Sequence, residues 1–135
     1  MKPREVSYES IWAKAVDDQE SVARKSGNSA EPWEAQACRL GFGIYKTRCF
    51  CERLAREFFS PWYQPTAVEA GRLYLLNKHH WIPAEVKNLD IVALMAFLHE
   101  ELTQMRLTKE EWEPVRNWTS HMDCYQLLAE SAPLP

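Results

Sequence analysis

At 135 residues the chain has room for one domain around a single core and not for two. Its 46% apolar and 26% charged content excludes a disordered or low-complexity chain, and a net charge of −3 gives no global pull toward nucleic acid or an anionic membrane. No apolar run approaches the roughly 18 to 20 residues that span a bilayer, so no membrane partner is expected.

Met1-Lys2-Pro3-Arg4-Glu5 leads into an amphipathic stretch rather than a continuous apolar one, so a signal peptide is not expected. A first helix is predicted over 7–25, with Ser7 as N-cap. Tyr8, Ile11, Trp12, Ala15, Val16, Val22 and Ala23 recur on its apolar face at steps of three and four. Ser26-Gly27-Asn28-Ser29 reads as its stop.

A second helical region begins near Pro32 and reaches toward Phe59, as one helix or as two. It carries two apolar stripes, Trp33, Ala37, Leu40, Ile44, Cys51, Ala55 and Phe58 on one side and Cys38, Phe42, Tyr45, Cys49 and Phe59 on another. A helix with two such stripes is surrounded, so this is the expected central element. Gly41 and Gly43 mark a bend or a close helix crossing.

Ser60-Pro61-Trp62-Tyr63-Gln64-Pro65 is a loop, because two nearby prolines exclude a regular element. Thr66 with Glu69 has capping-box spacing and opens a helix to about Asn77. The break Asn77–Pro83 contains His79, His80, Trp81 and Ile82, and a short turn is predicted over 83–87. A helix over 90–106 would bury Ile91, Leu94, Met95, Leu98, Leu102 and Met105. Thr108 with Glu111 repeats the capping box, and the last helix would bury Trp112, Val115, Thr119, Met122 and Tyr125. Ser131–Pro135 is expected to fray. With no alternating strand pattern, the fold class is all-α: one domain over 1–135, a compact bundle of about five helices around a long central one.

Catalytic motifs are missing. His99-Glu100-Glu101 lacks the second histidine of a metalloprotease helix, and Gly41-Phe42-Gly43 lacks the strand and third glycine of a phosphate loop. Cys38, Cys49, Cys51 and Cys124 fit neither a disulfide framework nor a zinc site, since Cys49 and Cys51 point apart on a helix. They read as reduced thiols of a cytoplasmic protein, and Asn117-Trp118-Thr119 as a chance sequon. No catalytic residue, metal or cofactor is assigned.

Charge is unevenly spread. Five basic residues meet seven acidic ones over 1–35, six meet three over 36–72, and five meet nine over 73–135. Arg39, Lys46, Arg53 and Arg56 follow one ridge of the second helix with Arg48 beside it, spaced to track a phosphate backbone. Six tryptophans are many for this length, and Trp62, Tyr63, Trp81 and Ile82 sit on proline-stiffened loops.

Three readings follow. The leading one is a non-enzymatic adaptor or inhibitor that docks on a larger, nucleic-acid-handling protein assembly. It would use Trp62, Tyr63, Trp81 and Ile82, steered by Glu100, Glu101, Glu110 and Glu113. The second is a subunit that contacts nucleic acid, as part of a complex, through Arg39, Lys46, Arg48, Arg53 and Arg56. The third is a small enzyme or metal protein built on His79, His80 or the cysteines. In size and in its central basic helix the chain resembles helical small subunits of nucleoprotein effector complexes, a likeness of fold alone.

Overall fold

A computed structural model of the chain describes residues 5–26 and 33–135. Among them the backbone forms α1 (Tyr8–Ser26), α2 (Trp33–Glu57), α3 (Ala67–His79), α4 (Pro83–Val86), α5 (Ile91–Phe97), α6 (His99–Gln104), α7 (Lys109–Thr119) and α8 (Tyr125–Leu128). A 3-10 turn follows at Ala129–Ser131, and the described residues hold no strand. The fold is all-α. The expected signals at Met1–Glu5, Gly27–Ser29 and Pro32 fall, from Glu5's neighbour Arg4 backward and over 27–32, outside the described residues.

Local chemistry sets the starts of α1, α3, α5 and α7. The Ser7 hydroxyl accepts from the Ser10 N–H at 3.3 Å, as an N-cap does. Thr66 with Glu69 and Thr108 with Glu111 each close a reciprocal capping box, and the Asp90 carboxylate accepts from the Ala93 N–H at 2.9 Å.

The finer expectations need correction in two places and are settled in a third, the choice between one helix and two. The helix over 90–106 is interrupted at Leu98, whose backbone leaves helical geometry (φ −97, ψ 11) and separates α5 from α6. The ladder still runs from Leu98 N–H to the Leu94 carbonyl and from Leu102 N–H to the Leu98 carbonyl, so the axis is locally reshaped rather than stopped. The last helix ends at Thr119, and Tyr125 belongs to the separate turn of helix α8. The 25 residues of α2 form one helix through Gly41 and Gly43.

The described residues sort into two packed units, one of Thr47–Gln104 with residues 5 and 6, the other of Ser7–Lys46 and Met105–Pro135. In the first, α3 packs on α4 and α5, and Leu54, Ala55 and Ala70 cluster with Phe50, Phe58 and Tyr74 beside them. A Cβ at Gly71 would lie 2.8 Å from the Cys51 sulfur, so the bare backbone there permits the close approach. In this unit Arg72 also donates to the Leu89 carbonyl at 2.8 Å, holding the loop ahead of α5.

In the second unit α1 packs on α7, and Trp12, fully buried, meets Phe42, Tyr45 and Trp118 edge-on. A Cβ at Gly41 would come within 2.9 Å of the Ala15 carbonyl oxygen, which makes Gly41 the crossing point of α1 and α2. Val22, expected on the apolar face of α1, is exposed instead. The tail is anchored as far as Ala132: Leu107 N–H donates to the Ser131 carbonyl at 2.8 Å and Arg106 to the Ala132 carbonyl at 2.9 Å. These bonds cap buried backbone that a frayed end would leave open.

Candidate functional site

The first unit carries Trp62, Trp81 and Phe97 on two supports. After α2 the chain makes a tight reversal in which Ser60 N–H donates to the Tyr63 carbonyl (2.8 Å) and Tyr63 N–H to the Ser60 carbonyl (3.2 Å). Pro61 and Trp62 are its two central residues, and proline's fixed φ suits the first of them. The indole of Trp62 stands at the tip, 87% exposed. Tyr63 folds inward and is half-buried; burial, with Glu69 adding to it, pushes its hydroxyl pKa up.

The second support is the end of α3. His80 takes the left-handed conformation (φ 56, ψ 35), and Trp81 N–H reaches back to the Leu76 carbonyl at 3.2 Å. Such a six-to-one bond closes a helix end, normally around glycine. The reversal lays the Trp81 indole on the His79 imidazole, centroids 4.7 Å apart and planes 23° from parallel. Phe97, from the end of α5, meets Trp81 edge-on at 5.4 Å. Phe97 is 48% exposed and Ile82 60%, so the cluster presents an apolar surface to solvent.

An ion pair ties the same elements together. Lys78 Nζ lies 2.9 Å from Glu101 Oε2, with the Tyr74 hydroxyl beside the carboxylate. Burial alone would raise the Glu101 pKa, but bonding from Lys78 and the nearby Tyr74 hydroxyl outweighs it and holds the carboxyl below its ordinary value. The bond to Glu101 raises the Lys78 pKa in turn. Glu100 is exposed on the neighbouring position of α6.

Six of the eight residues expected to dock thus fall in this unit: Trp62, Tyr63, Trp81, Ile82, Glu100 and Glu101. Glu110 and Glu113 are exposed on α7, in the other unit. Phe97 was not legible as a site residue, and His79, expected only as a catalytic or metal candidate, serves here as the ring on which Trp81 stacks.

The basic ridge is not uniform. Arg39 and Arg56 are exposed and Arg48 and Arg53 half-buried. Lys46 is 8% exposed, and its ammonium donates to the Ser131 hydroxyl at 2.8 Å, which withdraws it from any surface track. All four cysteines are buried thiols. Burial, reinforced by Cys124, pushes Cys38 up to about 11, and burial pushes Cys51 to about 12. Among the described residues no three His, Cys, Asp or Glu side chains gather as metal ligands, and no helix is long and apolar enough to cross a membrane. No family model, curated protein or solved structure matches the chain.

Proposed function

We propose that the chain is a non-enzymatic docking module, an adaptor or inhibitor that engages a larger protein assembly in the cytoplasm through Trp62 and the Trp81–Ile82–Phe97 surface. The observation that carries this reading is Trp62, 87% exposed on a turn closed by two backbone bonds. A large apolar ring in water is unfavourable, and a stiff turn has little entropy left to lose on binding. Tryptophan held this way is the usual form of an interface hot spot. Glu100, exposed and three positions after Phe97 in the sequence, favours a basic partner face, such as one that otherwise meets nucleic acid.

The test is capture of a partner from extract by the tagged chain, after nuclease treatment and at two salt concentrations. Wild type should retain a defined protein, and Trp62→Ala and Trp81→Ala should each release it while remaining folded by circular dichroism. Normal capture by both variants would refute the reading. Material lost on nuclease treatment would favour contact with nucleic acid through Arg39, Arg48, Arg53 and Arg56 instead.

A further inference from the structure

We infer that the Trp81–Phe97 pair is a seat for a guanidinium group, taking an arginine side chain from a basic segment of the partner with Glu100 as counter-charge. The inference rests on the docking reading of the same surface and names its chemistry. The aromatic faces of Trp and Phe attract cations, and tryptophan does so best. Here the rings are held at fixed angles by the 4.7 Å stack of His79 on Trp81 and the 5.4 Å edge contact with Phe97. A planar guanidinium stacks on such rings and still bonds a carboxylate at its edge, which an ammonium does less well.

Charge selects the same ligand. Residues 78–101 hold four carboxylates against two lysines. Lys78, next to His79 in the sequence, is engaged by Glu101 at 2.9 Å. The Asp90 carboxylate is turned to the Ala93 N–H as a helix cap. Glu85 and Glu100 remain exposed, against Lys87. A purely apolar anchor would gain nothing from these carboxylates. A nucleic acid would bring phosphates toward them, against the sign that such binding requires. In its other unit the chain builds the same kind of contact internally, with Arg24 Cζ 4.2 Å from the centre of the Trp33 ring.

The test uses the full chain, nitrogen-15 labelled, titrated with a blocked Gly-Arg-Gly-Arg-Gly peptide and with its citrulline counterpart, which keeps the shape and loses the charge. The Trp81 indole N–H, identified by its absence from Trp81→Leu, reports the site. The arginine peptide should bind about two- to thirtyfold more tightly than the citrulline peptide. Phe97→Leu, at an exposed position, should remove most of that preference, and Glu100→Gln should weaken arginine binding up to about fivefold. Equal response to both peptides would overturn the inference, as would an arginine preference unchanged in Phe97→Leu, or unchanged in Trp81→Leu when read from the backbone amides around Phe97. A response of the indole to an oligothymidylate but not to the arginine peptide would overturn it in favour of base stacking. Loss of the inference in any of these ways leaves the docking reading to stand or fall on partner release by Trp62→Ala.

Discussion

Replacing Trp62 with alanine separates folding from binding more sharply than any other single change. A tryptophan side chain offers about 250 Å² of surface, and at 87% exposure the folded chain covers only about 30 Å² of it. At about 25 cal/mol per Å², removing the ring costs about 0.8 kcal/mol of stability. If the indole is a binding anchor, its loss from a complex costs at least about 2 kcal/mol, a thirtyfold or greater loss of affinity. Urea denaturation measures the first quantity, and isothermal titration with the captured partner measures the second. Trp12→Ala is the control at the opposite extreme: fully buried among Phe42, Tyr45 and Trp118, it should cost about 3–5 kcal/mol of stability. The reasoning is refuted if Trp62→Ala destabilises the chain by more than about 2 kcal/mol, which would mean that the turn closes on its ring, or if affinity is unchanged.

Three other outcomes are expected. Because His80 sits at φ 56, His80→Gly should hold or raise the unfolding free energy, by up to about 1 kcal/mol, whereas the β-branched His80→Val should lower it; equal effects in urea melts would remove the strained-cap account. Glu101→Gln should cost about 0.2–1 kcal/mol at pH 7. The Glu101 pKa is lowered by folding, so the stability it adds is present above the ordinary carboxylate value and lost as pH falls through the folded one. In acid melts the gap between wild type and variant should therefore narrow only as pH falls below the ordinary carboxylate value, and close once it has passed through the lowered folded one. With Cys38 near 11, Cys51 near 12 and every cysteine buried, a disulfide reagent at pH 8 should find no fast thiol in the native chain and all four after unfolding; one rapid native reaction would contradict the burial.

How far the sequence was legible follows from the range of the forces involved. The helix starts at Ser7, Thr66, Asp90 and Thr108 are set by bonds within three residues, so their side chains announce them. The interruption at Leu98 has no glycine or proline to mark it. Polar partners are equally long-range: Lys46 reads as part of a solvent ridge until the Ser131 hydroxyl, 85 positions away in sequence, accepts a hydrogen bond from its ammonium. Leu107, almost fully buried, lies outside the helical pattern that flagged the core, and its N–H is satisfied by the same distant Ser131.

The candidate site shows the same division, and also how a pattern that finds the core can still hide a site. Over 90–106 the period of 3.6 selects Ile91, Leu94, Met95, Leu98, Leu102 and Met105; Leu94, Leu98 and Leu102 are buried, while Ile91, Met95 and Met105 are only half-buried. Phe97 falls off that stripe, so the pattern is silent about it. A helix has no internal use for a phenylalanine on its solvent side, since the ring gains nothing there until another group covers it. In this chain Trp81 covers one part and solvent the rest, and Trp81 can do so only because His80 turns the chain left-handed one residue earlier. Trp62 was found because its loop chemistry is local; Phe97 required the fold. Aromatic residues that fall between stripes are therefore where a helical sequence with no catalytic motif should be searched for its contacts.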